Sequence, residues 1–368
     1  MYLKDIEIKN FRNLKDVRLS FNPKVNIILG KNAQGKTNLL EAIWLLSGNK
    51  SFRGAGDREI VSFEESGYFV GGCFEENGQE ITLKIGCNAL HDKVQKKVYR
   101  NGKTFATSRC LLSAAAMTVF SPDDLELIKS GPAIRRNYCD ILLAGIFPAY
   151  AKTLSRYNRI VMQKNALLRD EAPQEDIEIW SSQQAVFGAS VIKSRLELIK
   201  RILPFAQKSF FDMAGKTETL DISYKCTVCE DAEKDEKQIA EIFSDKLSQN
   251  AFKERAAGSC LYGPHRDDLL IEINGNDARQ FASQGQQRSA VLALLLAKTE
   301  LIRSYSGKAP IVLLDDVMSE LDEGRQKYLL DRIEDFQVFI TCCQDELFKG
   351  GSNKKTFMVS QGVICEKE

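Results

Sequence analysis

A chain of 368 residues, 43% hydrophobic and 27% charged, holds enough apolar side chain for more than one core, which excludes a disordered tail and gives a prior of roughly one to three domains. Lysine and arginine (51) nearly cancel aspartate and glutamate (50), so no global positive field exists to hold a polyanion, and any nucleic-acid contact has to come from a local patch. No run reaches the roughly 18 to 20 apolar residues of a membrane span, the N-terminus alternates like a strand rather than a signal peptide, and ten scattered cysteines suit a reducing compartment; a cytoplasmic chain with no membrane partner is expected.

Strand signals dominate residues 1–121. Ile6 and Ile8 alternate with charged neighbours, Val25 to Leu29 form a short apolar run, and Asn77-Gly78 and Asn101-Gly102 sit between alternating segments. Both dipeptides accept positive φ at the two central positions of a type I′ turn, so two hairpins are predicted. Over 122–255 the period becomes helical. Tyr150, Leu154, Tyr157, Val161 and Leu168 share a stripe, and Ala185, Ala189, Ile192, Leu196, Ile199 and Leu203 follow at helical spacing until Pro204, where that helix is expected to stop. Each stripe is shorter than about three heptads, which favours a compact helical lobe over an extended coiled coil. The charged stretch Glu230 to Lys237 reads as a loop before a short helix around Ile239, Ile242, Phe243 and Leu247. Strands return at Leu269 to Ile273, closed by a third Asn-Gly pair, and a helix over Ala290 to Arg303 precedes apolar runs at Ile311 to Leu314 and Val338 to Thr341. The expectation is an α/β protein in which 1–121 and 256–368 form one discontinuous mixed-sheet domain and 122–255 a mainly helical insertion.

The sharpest motif is Gly30-Lys31-Asn32-Ala33-Gln34-Gly35-Lys36-Thr37, a full G-x-x-x-x-G-K-[ST] match directly after an apolar strand and before a helical stretch. Glycines let backbone wrap close to phosphate, so that amide N–H groups and the positive end of the helix dipole meet the anion. Lys36 is expected to reach the β- and γ-phosphates and Thr37 to hold Mg²⁺. A second carboxylate source is expected at the end of a buried strand, and Ile311 to Leu314 followed by Asp315 and Asp316 supplies it. Asp315 would orient the metal and Asp316 would polarise the attacking water, a set competent for ATP hydrolysis because that chemistry needs mainly positioning and charge neutralisation.

Ser283-Gln284-Gly285-Gln286-Gln287, before the helix carrying Ala290, Leu294, Ala297 and Leu301, resembles the signature motif of ABC-type ATPases, in which a serine, a glycine and a helix N-terminus meet the γ-phosphate held by a partner subunit. Ser319-Glu320-Leu321-Asp322 resembles the D-loop of the same interface. By that resemblance Ser283, Gly285 and Gln286 contact nucleotide across a dimer, and dimerisation and ATP occupancy are linked.

Further segments narrow the resemblance. Ile6 to Asn13 looks like the opening strand of the chromosome-maintenance and repair branch, where Arg12 approaches nucleotide or DNA. Phe120 to Leu125, Gly131-Pro132 with Arg135-Arg136, and Tyr262-Gly263-Pro264-His265-Arg266-Asp267-Asp268 are similar to stretches of the bacterial recombination mediator family RecF. The likeness runs from residue 1 to about 345, and six segments fall in order. It implies an ABC-type ATPase head with an inserted helical lobe: an ATP-dependent homodimer that binds duplex or gapped DNA without sequence preference. It further implies action with RecR and RecO to help load RecA at single-strand gaps, with weak, DNA-stimulated ATP hydrolysis serving as a switch. The 247 positions between Lys36 and Ser283 exceed the usual spacing of a transporter ATPase and leave no room for long coiled coils. No histidine switch stands at Thr341-Cys342-Cys343-Gln344, where Thr341 is the nearest polar candidate.

Residues 1–121 carry 18 Lys/Arg against 12 Asp/Glu. Lys93, Lys96, Lys97, Arg100, Lys103 and Arg109 crowd the second hairpin, a local patch of the kind that attracts phosphate without reading bases. A solvated hairpin remains open for each of these residues, as do ion pairing for Arg135 and Arg136 and a structural turn for His265. Cys226 and Cys229 have zinc-like spacing with no second ligand pair nearby. The rival readings are a P-loop kinase or metabolic NTPase, and a transporter ATPase subunit.

Overall fold

The computed structural model describes residues 1–89, 94–105, 111, 115–229, 234–343 and 353–367; Lys93 and Arg109 lie outside the described residues. In chain order the elements are β1 (Tyr2–Phe11), β2 (Leu14–Ser20), β3 (Val25–Leu29), α1 (Lys36–Leu45), α2 (Asp57–Ile60), β4 (Gly67–Glu76), β5 (Gln79–Asn88), β6 (Gln95–Arg100), β7 (Lys103–Phe105) and β8 (Met117–Phe120). A helical stretch follows: α3 (Glu126–Lys129), α4 (Pro132–Ile146), α5 (Pro148–Arg169), α6 (Gln174–Met213), β9 (Leu220–Lys225), α7 (Glu236–Gln249) and α8 (Ala251–Ala257). The remainder is β10 (Asp268–Ile273), β11 (Asn276–Asp277), α9 (Ala278–Phe281), α10 (Gln284–Ser306), β12 (Ile311–Leu314), α11 (Glu323–Ile333), β13 (Val338–Cys342), β14 (Lys354–Ser360) and β15 (Val363–Glu366).

Two compact units result, Met1–Asp124 with Lys298–Glu368, and Leu125–Ala297. Residues 256–297, grouped with the outer segments on sequence alone, pack with the helical unit. The reason is a strand pairing: β10 runs antiparallel to β9, from Asp268↔Lys225 to Ile273↔Leu220, and Arg135 at the start of α4 grips both oxygens of Asp268 at 2.8 and 2.9 Å. Alternation in β10 shows only that a strand exists and not where its partner lies.

The first unit holds two six-stranded sheets, ordered β2-β1-β4-β5-β6-β7 and β15-β14-β3-β13-β12-β8. The former is antiparallel throughout, with the two Asn-Gly hairpin turns at positive φ (Asn77 50°, Gly78 75°, Asn101 49°, Gly102 77°). In the latter β3, β8, β12, β13 and β14 are parallel and only β15 is antiparallel, which is why Val25–Leu29 and Ile311–Leu314 read as continuous apolar runs buried on both faces. One core joins both sheets through Leu39, Leu40, Ile43 and Trp44 of α1, with Ile8, Phe11 and Phe74 from one side and Ile28, Leu313 and Phe339 from the other.

In the second unit α6 spans 40 residues, about 60 Å, and runs through Pro204. The expected stop fails because the buried stripe continues beyond the proline: Ile202, Ala206 and Phe210 are all buried, and that packing outweighs the roughly 3 kcal/mol a helix-interior proline costs. Helix α7 begins at Asp235, whose side chain accepts from Gln238 N at 2.8 Å in a capping box, and buries Ile239, Phe243 and Leu247 against α6. Among the described residues no helix is long and apolar enough to cross a membrane.

Candidate functional site

Strand order assembles the site. β13 lies between β3 and β12, so the C-terminal ends of three parallel strands emerge side by side: Gly30 after β3, Thr341 near the end of β13 and Asp315 after β12. Gly30 N donates to Cys342 O at 3.3 Å and Asp315 N to Phe120 O at 2.8 Å, which extends the ladders past the strands. The loop from Gly30 to Thr37 then turns into α1.

Both motif glycines are required by space. A Cβ on Gly30 would meet Val359 O at 2.5 Å, and Gly35 sits at φ +116° with Asn13 Oδ1 at 2.7 Å from the same imagined atom. Asn13 Nδ2 donates to Gln34 O (2.9 Å), Gly362 N to the same oxygen (3.0 Å) and Gln361 N to Gln34 Oε1 (2.7 Å), so the loop is pinned from two sides. Helix α1 has neither a side-chain cap nor an acid in its first turn, which leaves its first N–H groups and dipole available to an anion. The Lys36 ammonium is buried and donates to Gly30 O (2.6 Å) and Lys31 O (3.2 Å), with Asn32 Oδ1 at 3.5 Å.

Thr37 Oγ1 donates to Asp315 Oδ1 at 2.9 Å, and Thr341 Oγ1 donates to the same oxygen at 2.9 Å. Thr341 Oγ1 in turn accepts from Asp316 N at 2.8 Å, which holds Asp316 at φ +52°. Burial pushes the Asp315 carboxyl above its usual range and the neighbouring Asp316 adds to this, against the lowering effect of the two threonine hydroxyls. A buried carboxylate and a hydroxyl within contact distance, with no cation among their hydrogen-bond partners in the described residues, match the hard oxygen donors of Mg²⁺. The residues therefore fit a Mg²⁺–triphosphate: glycine cradle, helix N-terminus, ammonium, and an Asp–Thr oxygen pair.

Thr37, Lys36, Asn32, Ala33, Gly35, Asp315 and Asp316 line a cleft of about 1020 Å³ together with Arg12, Arg53, Phe63 and Gln361. Arg12 Nε and Nη2 fork onto the fully buried carboxylate of Glu41 at 2.9 Å each, and Ser51 also donates to Glu41. Arg53, the fully exposed Phe63 and Gln361 lie outside any motif, and only the folding of 53–64 and of the β14–β15 turn over the loop brings them there; Asn13 ends the Ile6–Asn13 segment, and its hold on the loop appears only in the folded chain.

Ser283 caps α10 in the second unit: Ser283 Oγ accepts from Gln286 N at 3.2 Å and Gln286 Oε1 from Ser283 N at 2.8 Å, while Gln286 Nε2 reaches Glu218. Ser283 and Gln284 are exposed and Gly285 is half-buried. Asp322 caps α11, and Ser319 Oγ donates to Asp316 O at 2.8 Å.

The segment from Tyr262 to Asp268 is a structural clasp. Burial pushes His265 down to about 4; its Nδ1 is 2.6 Å from Tyr157 Oη and its Nε2 3.3 Å from Cys260 O. Asp267 accepts from Thr227 Oγ1 (2.6 Å), Thr227 N (2.7 Å) and Tyr224 Oη (2.7 Å). Arg195 donates to Pro264 O (2.6 Å) and to Asp140, Arg136 donates to Asp267 O (2.7 Å), and Arg135 holds Asp268. The ion pairing left open for Arg135 is found, with Asp268, while Arg136 is held by a backbone carbonyl. Cys226 Sγ accepts from Val228 N and Cys229 N at 3.4 Å, so it stabilises a turn. On the second hairpin Lys96 is paired with Asp57 (2.9 Å), Arg100 is half-buried, and Lys97 and Lys103 are exposed.

The profile described as the RecF/RecN/SMC N-terminal domain matches residues 2–365. A curated relative from Thermoanaerobacter pseudethanolicus, DNA replication and repair protein RecF, is 36% identical over 370 residues, covering all of both chains. A solved structure of the recombination mediator protein RecF with ATP, in the RecFOR pathway, superposes at TM-score 0.91 and 36% identity over 100% of this chain and 98% of that one. An Smc head bound to the C-winged helix domain of ScpA shares the fold at TM-score 0.58 and 17% identity, over 100% and 97%.

Proposed function

This chain belongs to the RecF family and has the ABC-type ATPase head fold, and from that premise we propose that it is an ATP-dependent dimeric DNA-binding protein of recombinational repair, acting in the cytoplasm. The observation that carries the reading is the convergence of Thr37 and Thr341 on one oxygen of Asp315 beside the Lys36 loop.

In this reading the loop amides from Lys31 to Gly35 and the N-terminus of α1 hold the phosphates, and Lys36 exchanges its hold on Gly30 O and Lys31 O for them. Thr37 and Asp315 would hold Mg²⁺, which would supply charge neutralisation to the phosphates. Asp316 orients and polarises the attacking water, and Thr341 keeps both acids in register by donating to one and accepting from the backbone of the other. A second copy brings Ser283, Gly285 and Gln286, at the N-terminus of its α10, to the γ-phosphate, so that nucleotide closes the dimer and hydrolysis loosens it. Hydrolysis is slow and DNA-stimulated, and RecR and RecO direct the closed dimer to gapped DNA for RecA loading. The Ser283–Gln287 and Ser319–Asp322 segments would be idle in a small-molecule kinase, which counts against that reading, and the full-length likeness counts against a transporter subunit.

Sedimentation with and without ATP tests this. Wild type moves from monomer to dimer on ATP addition, Lys36→Ala neither binds ATP nor dimerises, and Ser283→Arg binds ATP yet stays monomeric. A nucleotide-independent monomer–dimer ratio in wild type would overturn the shared site.

A further inference from the structure

The antiparallel sheet buries one face against α1 and leaves its other face open. On that open face the register sets out a lattice: Phe69 of β4 opposes Gly86 of β5, which opposes Lys97 of β6, and in the next row Gly71 opposes Lys84, which opposes Tyr99. Gly86 forms a bare floor, since a Cβ there would meet nothing within 4 Å, and the Phe69 ring lies over Gly71 with Cζ 2.9 Å from the position a Cβ would take. The result is a trough of about 580 Å³ whose walls include Phe69, Tyr99, Lys84, Lys97, Asn88 and Gln95. Among the described residues no carboxylate lines it, and acids elsewhere on this face are paired: Glu7 with Lys9 and Arg18, and Glu80 with Lys4. Lys84 and Lys97 are exposed and diagonal to one another, roughly 7 to 8 Å apart at the backbone, and the two aromatic rings are half-buried at opposite corners.

We propose that this trough binds single-stranded DNA, with Phe69 and Tyr99 as stacking platforms, Lys84 and Lys97 on successive phosphates, and Asn88 and Gln95 on base edges. The chemistry selects the occupant. Lysines alone would serve any polyanion, but rings presented on an open sheet gain energy only from bases that are already unstacked, which a duplex does not offer. The glycine floor lets a base approach the sheet where any side chain would block it. The patch expected on the second hairpin thereby divides: Lys96 points to the other face and is paired with Asp57, while Lys97 belongs to the trough. The proposal rests on the reading of the protein as a DNA-binding protein.

The test is fluorescence anisotropy of the full chain with ATP and Mg²⁺, using labelled oligo-dT and a blunt duplex of equal length. Tyr99→Ala weakens oligo-dT binding roughly ten- to a hundredfold, Tyr99→Phe restores it, and duplex binding is unchanged. Lys84→Gln with Lys97→Gln lowers the slope of log affinity against log salt for oligo-dT by about 1.4. Unaltered melting of each variant establishes that its fold is intact. Oligo-dT binding of Tyr99→Ala equal to wild type overturns the trough, as does an equal loss on both DNAs or wild type that binds duplex but not oligo-dT; in that last case the DNA-binding reading stands alone. Wild type that binds neither DNA overturns that reading and the trough with it.

Discussion

Asp315 carries a conflict that its site relieves. Its pKa is raised, chiefly by burial, so its contribution to stability is fully present below the ordinary carboxylate value and is lost as pH rises through the raised one. Once ionised, the group is a net destabiliser of the nucleotide-free protein. Asp315→Asn is therefore expected to raise the melting temperature of the nucleotide-free chain relative to wild type, by a margin that grows as pH rises from about 4 to neutrality, and to abolish further stabilisation by ATP with Mg²⁺. Differential scanning fluorimetry across pH measures both. A second buried charge has the opposite logic: Lys164 and Glu254 are almost fully buried, 2.7 Å apart, with Gln184 Oε1 and Leu261 N completing the partners. Lys164→Met leaves Glu254 buried and unpaired and is expected to cost about 3–5 kcal/mol in urea unfolding, with Lys164→Met/Glu254→Gln recovering most of it. Lys36, Thr37 and Asp315, which the structure brings together, were legible as motif residues because each follows an apolar strand at a fixed short spacing. Arg53, Phe63 and the Glu41 partner of Arg12 were not, since nothing local distinguishes a cleft wall from any other surface.

Among elements, the strands and hairpins follow from local signals: alternation, apolar runs and three Asn-Gly turns, two in the first unit and the third in the second, at Asn274 (φ 51°) and Gly275 (φ 75°). Helix α6 departs from its local signal at Pro204, which lacks the N–H to donate to residue 200 and yet sits mid-helix. Since Ile202, Ala206 and Phe210 already hold the helical path, Pro204→Ala is expected to stabilise the chain by roughly 1–3 kcal/mol, read as a shifted denaturation midpoint at constant m. Loss of stability on that change would mean that the proline sets a bend the packing needs.

For the whole molecule, the proposed completion of the nucleotide site by a second copy would make stability depend on concentration. With ATP and Mg²⁺ the apparent melting temperature is expected to rise with protein concentration, and without nucleotide to stay constant; Ser283→Arg should remove the dependence and leave the ATP-induced rise at fixed concentration. The division of the chain at Asp124 and Lys298 places the signature-like helix start, at Ser283, in the unit built around α6. Helix α10 therefore begins in one unit and ends in the other, at Ser306.

What the amino-acid order by itself determined is everything governed by near neighbours: the phosphate loop, the acid-ended strand, the turns and the helical stripes, because each depends on a few consecutive residues obeying one period. The likeness to RecF also belongs there, as a succession of such short segments. What only the tertiary structure decided is pairing between distant residues. β10 joining β9, Thr341 bridging the two acids, Lys96 turning to Asp57 while Lys97 joins Lys84 and Tyr99 across a glycine floor, and α6 passing through its proline all follow from contacts whose energy is absent until the chain has folded.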